Sequence, residues 1–204
     1  MIFRKVALVS RSVNTIARCH FTIATNAKIN GNNRDKPPND TLSYVPENSD
    51  GRFYIEQLNE QWRSTIAGQK FHPNDIIGSA LGSVYSEPTR FTVQVTPDKH
   101  MYFTGGLEFV NHSCDPNTRI DISESEAKVS FIAIKPINQG EPLTFDYSTS
   151  EWDMDEKFKC SCGSFSCRGD IKGAKYLTDD EVTARLPYFT PSVLRQLLNR
   201  KLTC

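Results

Sequence analysis

The chain has 204 residues, with 24 basic and 24 acidic side chains for a formal net charge of zero, and 38% of its residues are hydrophobic. That length suits one domain with short appendages. No apolar run approaches the roughly 20 residues that a membrane-spanning helix requires, and the neutral balance excludes a protein that binds nucleic acid over its whole surface.

The charges are unevenly spread. Residues 1–34 hold Arg4, Lys5, Arg11, Arg18, Lys28 and Arg34 and no acid, which leaves a body of net charge −6. Spaced arginines, Ser and Thr without acids are the composition of an organellar transit peptide, so mitochondrial import is expected for 1–34, with nuclear or cytoplasmic residence as the alternative. Residues 35–51 are rich in Asn, Asp, Pro and Gly and read as a linker, because they cannot bury enough apolar surface alone.

From residue 52 the chain reads as short strands. FYIEQL and TIAGQKF are strand-like, NDIIGSALGSVYS is apolar with glycine punctuation, and FTVQV alternates as a half-buried strand does. HMYF pairs with it across the turn-forming TPDK. KVSFIAI is a further strand, KPINQGE a turn, and PLTFDYS a short strand. Helical signals come last. Thr178 and Glu181 form a capping box before EVTARL, and Thr190 caps a helix with Pro191 in its first turn. Many short strands followed by small helices predict a mainly β body over 52–150 and a helical tail over 174–204.

Of the six cysteines, three crowd into Cys160-x-Cys162-x4-Cys167 within residues 151–173. Thiols at that spacing can reach one metal, and Gly163 and Ser164 let the chain turn so that Cys167 joins them. Disulfides are the other reading and fit a reducing compartment poorly. A closed structural zinc site needs four ligands; Cys114, His112 and Cys204 are the candidates for the fourth.

Two further motifs stand beside these cysteines: Asn111-His112-Ser113-Cys114-Asp115-Pro116-Asn117, and Gly140-Glu141-Pro142-Leu143-Thr144-Phe145-Asp146-Tyr147. Together with the cysteine segment, the chain from Trp62 to Gly173 resembles the SET-domain lysine methyltransferases that carry a post-SET zinc segment. The resemblance implies the β-clip fold of small sheets with knot-like threading, in which the Asn-His-Ser-Cys strand and the Phe-Asp-Tyr segment meet. It implies that Cys114, Cys160, Cys162 and Cys167 hold one zinc ion. It implies methyl transfer from S-adenosylmethionine to the ε-amine of a lysine in a histone or non-histone protein.

Residue by residue, the resemblance places Tyr147 beside the methyl and the amine, and Phe145 where the family chooses Phe or Tyr. Phe leaves room for di- or trimethylation. On an ideal strand the two share a face. Asn111 and His112 match the cofactor-contacting pair, and Arg63 stands where it can grip the cofactor carboxylate. Trp152 or Phe158 is expected to stack on adenine or wall the lysine channel. Two positions depart from the family pattern: Trp62-Arg63-Ser64 replaces a Gly-x-Gly, and Glu108 replaces an Arg. Glycine there lets backbone approach the cofactor closely, so the alternative is an inactive, zinc-stabilised binding module.

Overall fold

The computed structural model describes residues 42–59, 62–89 and 91–202. The basic leader and the first part of the expected linker lie outside them, as do Cys19 and Cys204. The rest of that linker is not a linker. Leu42–Tyr44 forms strand β1, which pairs antiparallel with β2 (Phe53–Asn59). Between them a single helical turn, Glu47–Ser49, buries Ser49. Composition measures what a segment buries by itself, whereas here the partner supplies the surface: Tyr44 packs on the main core. Gly106 allows this closure. It sits at φ +101°, and a β-carbon there would lie 2.8 Å from Pro46 and 3.0 Å from Phe53.

Strand β3 (Trp62–Ala67) completes a three-stranded sheet with β1 and β2. Its pairing with β2 includes Trp62, Arg63 and Ser64, opposite Asn59, Gln57 and Glu56, with a register shift between Gln57 and Asn59 that sets Trp62 beyond a bulge. Thus the position that resembles a glycine turn is paired strand here, bulged next to Trp62. Next come β4 (Ile76–Tyr85), β5 (Val93–Thr96) and β6 (Lys99–Phe103). β5 and β6 form the expected hairpin, Val93 opposite Met101. It begins at Val93 rather than Phe91 because Thr89 and Thr92 tie a tight turn: the Thr89 N–H donates to Thr92 Oγ1 at 2.9 Å, and that hydroxyl donates to Thr89 O at 2.9 Å.

β7 is only Asn111–His112. β8 (Thr118–Ser123) buries every second residue, Thr118, Ile120 and Ile122, as a one-sided strand must. β9 (Lys128–Ala133) pairs with both β8 and β4, giving a five-stranded antiparallel sheet in the order β5-β6-β4-β9-β8. Phe71, Ile77, Met101, Phe131 and Leu143 are fully buried between these sheets. β10 (Thr144–Phe145) lies parallel to β7. β11 (Phe158–Lys159) and β12 (Asp170–Ile171) form a small hairpin.

Two helices follow, α1 (Asp179–Arg185) and α2 (Pro191–Leu202). The expected capping box is present: Thr178 Oγ1 accepts the Glu181 N–H at 3.3 Å, and the Glu181 carboxylate accepts the Thr178 N–H at 2.8 Å. Ala174, Leu177, Val182, Phe189, Val193 and Leu197 make a second small core under the tail. Gly173, at φ +114°, permits the docking, since a β-carbon there would stand 2.4 Å from Trp152 O. The architecture is mainly β with short C-terminal helices.

Candidate active site and thiol cluster

The pairing of β7 with β10 builds the site. Thr144 lies opposite Asn111 and Phe145 opposite His112, so two motifs some thirty residues apart become neighbours. The strand stops at Phe145 because the Asp146 carboxylate accepts the Ser148 N–H at 3.1 Å and caps a helical turn, Tyr147–Thr149. Tyr147 therefore does not continue the strand face as the alternation predicts. Its ring nevertheless meets Phe145, with centroids 4.7 Å apart.

Tyr147 is fixed at both ends. Its hydroxyl donates to Val110 O at 3.2 Å, and its N–H donates to His112 Nδ1 at 3.2 Å. An Nδ1 that accepts is unprotonated, so the imidazole is neutral with its proton on Nε2. The electrostatics agree. Burial drives the His112 pKa down to about 4; Asp146 opposes this, and the guanidinium groups of Arg168 and Arg185 add to it. Phe158 stands edge-on to His112 at 5.7 Å and to Tyr147 at 6.1 Å. The result is an aromatic enclosure of Phe145, Tyr147, His112 and Phe158, backed by Phe131 at 5.5 Å from Phe145.

Asn111 turns the other way, and its amide donates to Arg63 O at 2.9 Å. Hence β3 is brought to β7, with Ser64 buried beside them. The Arg63 guanidinium lies 5.0 Å from the Phe109 ring and donates to Gln57 Oε1 at 3.1 Å. Trp152 is not brought to this group. Its backbone N–H donates to Gln94 Oε1 at 2.8 Å, and its side chain packs on the C-terminal core. Of the two aromatic candidates, Phe158 joins the site and Trp152 does not.

The four thiols of Cys114, Cys160, Cys162 and Cys167 lie within 4.8 Å of one another. β11 and β12 bracket the loop that carries three of them, closed by the Cys160 N–H on Gly169 O at 2.6 Å. The Cys114–Cys160 sulfur separation is 4.0 Å, far beyond a disulfide bond. A tetrahedron of zinc–sulfur bonds of about 2.3 Å has edges of about 3.8 Å, so the donor set and its spacing fit zinc. His112 Nε2, 3.4 Å from Cys114 Sγ, supports a ligand rather than being one. Without a cation the thiols divide. Burial pushes Cys160 up to about 12 and also raises Cys114. In Cys162 burial is outweighed by donors from the Cys114 and Ser164 backbone, which bring it to about 6. A dication is what allows all four to ionise together.

Sequence reasoning missed Asp146 and its two partners. Its carboxylate is 3% exposed and accepts Arg168 Nη2 and Arg185 Nε, each at 2.6 Å. Burial raises its pKa, but the guanidinium groups and His112 prevail and hold it below the usual range. Arg168 directly follows a cysteine and could have been suspected, whereas Arg185 carries no local signal.

The chain is similar in part to known proteins. The methyltransferase flvH of Aspergillus flavus is 35% identical over 113 residues, covering 55% of this chain and 61% of that protein. A histone-lysine N-methyltransferase of Aspergillus oryzae, H3 lysine-4 specific, is 31% identical over 131 residues, 62% of this chain and 10% of that one. The chain thus spans less than two thirds of either relative. The solved structure of KRYPTONITE in complex with mCHG DNA and SAH aligns at TM-score 0.45 and 20% identity, over 53% of this chain and 26% of that one. The SET domain model matches residues 9–148, which include both the Asn-His-Ser-Cys and Phe-Asp-Tyr motifs, and the chain belongs to the SET domain family.

Proposed function

We propose that this protein transfers a methyl group from S-adenosylmethionine to the ε-amine of a protein lysine. The observation that carries the reading is the parallel register of β7 and β10, which gathers His112, Phe145 and Tyr147 in one aromatic cluster and sets Asn111 beside it, facing β3. The bound cofactor supplies an activated methyl on a sulfonium centre. The chain's own residues then have three tasks. They must favour the neutral amine, align it and exclude water. Free lysine has a pKa of about 10.4. Phe145, Phe158 and the Tyr147 ring disfavour its charged form by desolvation. The Tyr147 hydroxyl, anchored on Val110 O, orients the amine, and its ring faces the developing cation. Asn111 and the backbone at His112 hold the cofactor, with Arg63 on its carboxylate. Phe145, which has no hydroxyl to hold a water, leaves space for di- or trimethylation.

Cys114, Cys160, Cys162 and Cys167 hold a structural zinc ion that pins the β11–β12 hairpin, and with it Phe158, over the enclosure. An unstructured histone H3 tail is the first substrate to try, given the relative's specificity, and a basic leader directs the protein to mitochondria, where a non-histone substrate would be met. The test is transfer of labelled methyl to H3 peptides and to mitochondrial proteins by zinc-loaded enzyme. Incorporation that Tyr147→Phe lowers by about a hundredfold supports the reading; no incorporation with either set contradicts it.

A second reading has its own observation. Trp62-Arg63-Ser64 is paired strand with a bulge opposite Arg63 and Trp62, where glycines would let the backbone approach the cofactor. On that reading the fold is a zinc-stabilised module that binds a protein partner without transferring methyl groups.

A further inference from the structure

The catalytic turn is gripped from outside the SET match. Asp146 stands between Phe145 and Tyr147, and each of its oxygens is committed to a different guanidinium. Oδ1 takes Arg168 Nη2 and Oδ2 takes Arg185 Nε, both at 2.6 Å. The Arg168 and Arg185 side chains are 8% and 13% exposed. Arg168 comes from the cysteine hairpin. Arg185 is the last residue of α1, beyond residue 148 where the family match ends. It is itself braced, since its Nη1 donates to Glu181 O at 2.9 Å. The tail takes a second hold on the same turn, where the Thr190 N–H donates to Thr149 O at 2.9 Å.

We propose that Arg185 is a positioning residue for Tyr147, so that the C-terminal helices complete the active site rather than merely covering the core. The inference rests on the methyltransferase reading. Asp146 caps the turn that Tyr147 opens, so the orientation of its carboxylate sets the path of the chain at the tyrosine. A carboxylate held on both oxygens cannot rotate. If the Arg185 guanidinium is removed, Oδ2 is left buried with no donor, and the group must turn or draw in water. Tyr147 moves with it, and a displacement near 1 Å at a reacting group can cost about a hundredfold in rate. Lysine at 185 supplies charge at a single point but not the planar fork that reaches Asp146 and Glu181 O together, so it restores only part of the effect.

The experiment compares wild type, Arg185→Gln, Arg185→Lys and Arg200→Gln, all zinc-loaded. Arg200 bonds Lys175 O, Leu177 O and the Asp179 carboxylate within the tail, making it a control that loosens the tail while leaving Arg185 in place to hold Asp146. The readouts are thermal stability, kcat and KM per folded molecule, and the NMR signal of 13C-labelled Tyr147. Both glutamine variants should lose stability. Only Arg185→Gln should shift the Tyr147 signal and lower kcat by about tenfold to a hundredfold, with the cofactor KM within about twofold. Arg185→Lys should fall between, and it carries the test alone should Arg185→Gln not fold. An Arg185 variant that loses stability like Arg200→Gln but keeps wild-type kcat and an unshifted Tyr147 overturns the proposal. Absence of methyl transfer by wild type, with Tyr147 still shifted in the variant, removes the enzyme reading and leaves Arg185's hold on the tyrosine standing.

Discussion

The Tyr147 hydroxyl bonds the Val110 carbonyl and its backbone bonds His112, so the ring is in place before any substrate arrives. Pre-set orientation of this kind acts on the rate more than on binding. Tyr147→Phe is expected to lower kcat by about a hundredfold while calorimetry finds cofactor affinity within about threefold of wild type; equal losses in both would contradict an orienting role. Phe145 packs against Phe131 and Tyr147 with no polar partner. Phe145→Tyr should move the products towards monomethyl-lysine in a mass spectrum, and an unchanged distribution would show that this residue does not set the methyl count. At this scale the motifs made Asn111, His112, Phe145, Tyr147 and the four thiols legible, because each sits inside a fixed local pattern. Arg185 was not legible. A lone arginine in the last turn of a helix reads as a complement to the helix dipole, and only tertiary structure places it on Asp146. The place of Trp152 was not legible for the same reason: its closeness in sequence to Tyr147 says nothing about which core it joins.

The β11–β12 hairpin has four paired residues and three half-buried thiols, too little apolar surface to hold its place alone. Structural zinc contributes on the order of 10 kcal/mol, comparable with the whole stability of a domain, about 5–15 kcal/mol. Stripping the metal with a strong chelator, or changing Cys162→Ser, is therefore expected to release the hairpin, lower the melting midpoint sharply and free Phe158 from His112. A midpoint that does not respond to chelation would remove zinc from the structure's support. The tail helix gives a smaller and separate effect. Thr178→Ala removes the capping box and should cost about 1 kcal/mol in denaturant unfolding. Helix starts were readable because capping is local chemistry. The strand β1 was not, since the segment Leu42–Tyr44 gains its stability from β2 and from the core beneath Tyr44. Likewise the reach of β10 was overread, because an internal Asp can stop a strand by capping the turn after it.

Across the whole molecule, carboxylates paired with cations govern acid stability, the buried Asp146 and the exposed Asp153 among them. In Asp146 burial is outweighed by Arg168, His112 and Arg185, and the pKa falls. In Asp153 hydrogen bonds from Lys175, Lys157 and Tyr176 outweigh burial and bring it to about 2. A depressed folded pKa stabilises the fold at pH above the unfolded value, near 3.9, and that contribution is lost as pH falls through the folded value. Stability should therefore drop between about pH 4 and pH 2, and Asp153→Asn should flatten that limb in denaturant unfolding followed against pH; an unaltered limb would mean that the Asp153 cluster is screened to insignificance. Fold class was legible from the strand periodicity and the two motifs, whereas the joining of tail, hairpin and the Tyr147 turn through one carboxylate lies in long-range contacts. The site between β3 and β7 is expected to accept S-adenosylmethionine although Trp62-Arg63-Ser64 stands in place of glycines. Calorimetric titration of the cofactor into the zinc-loaded chain tests this most directly. A dissociation constant on the order of micromolar, in the usual range for enzyme substrates, is the result expected. No heat of binding up to roughly millimolar cofactor would contradict the enzyme and leave the zinc-stabilised binding module.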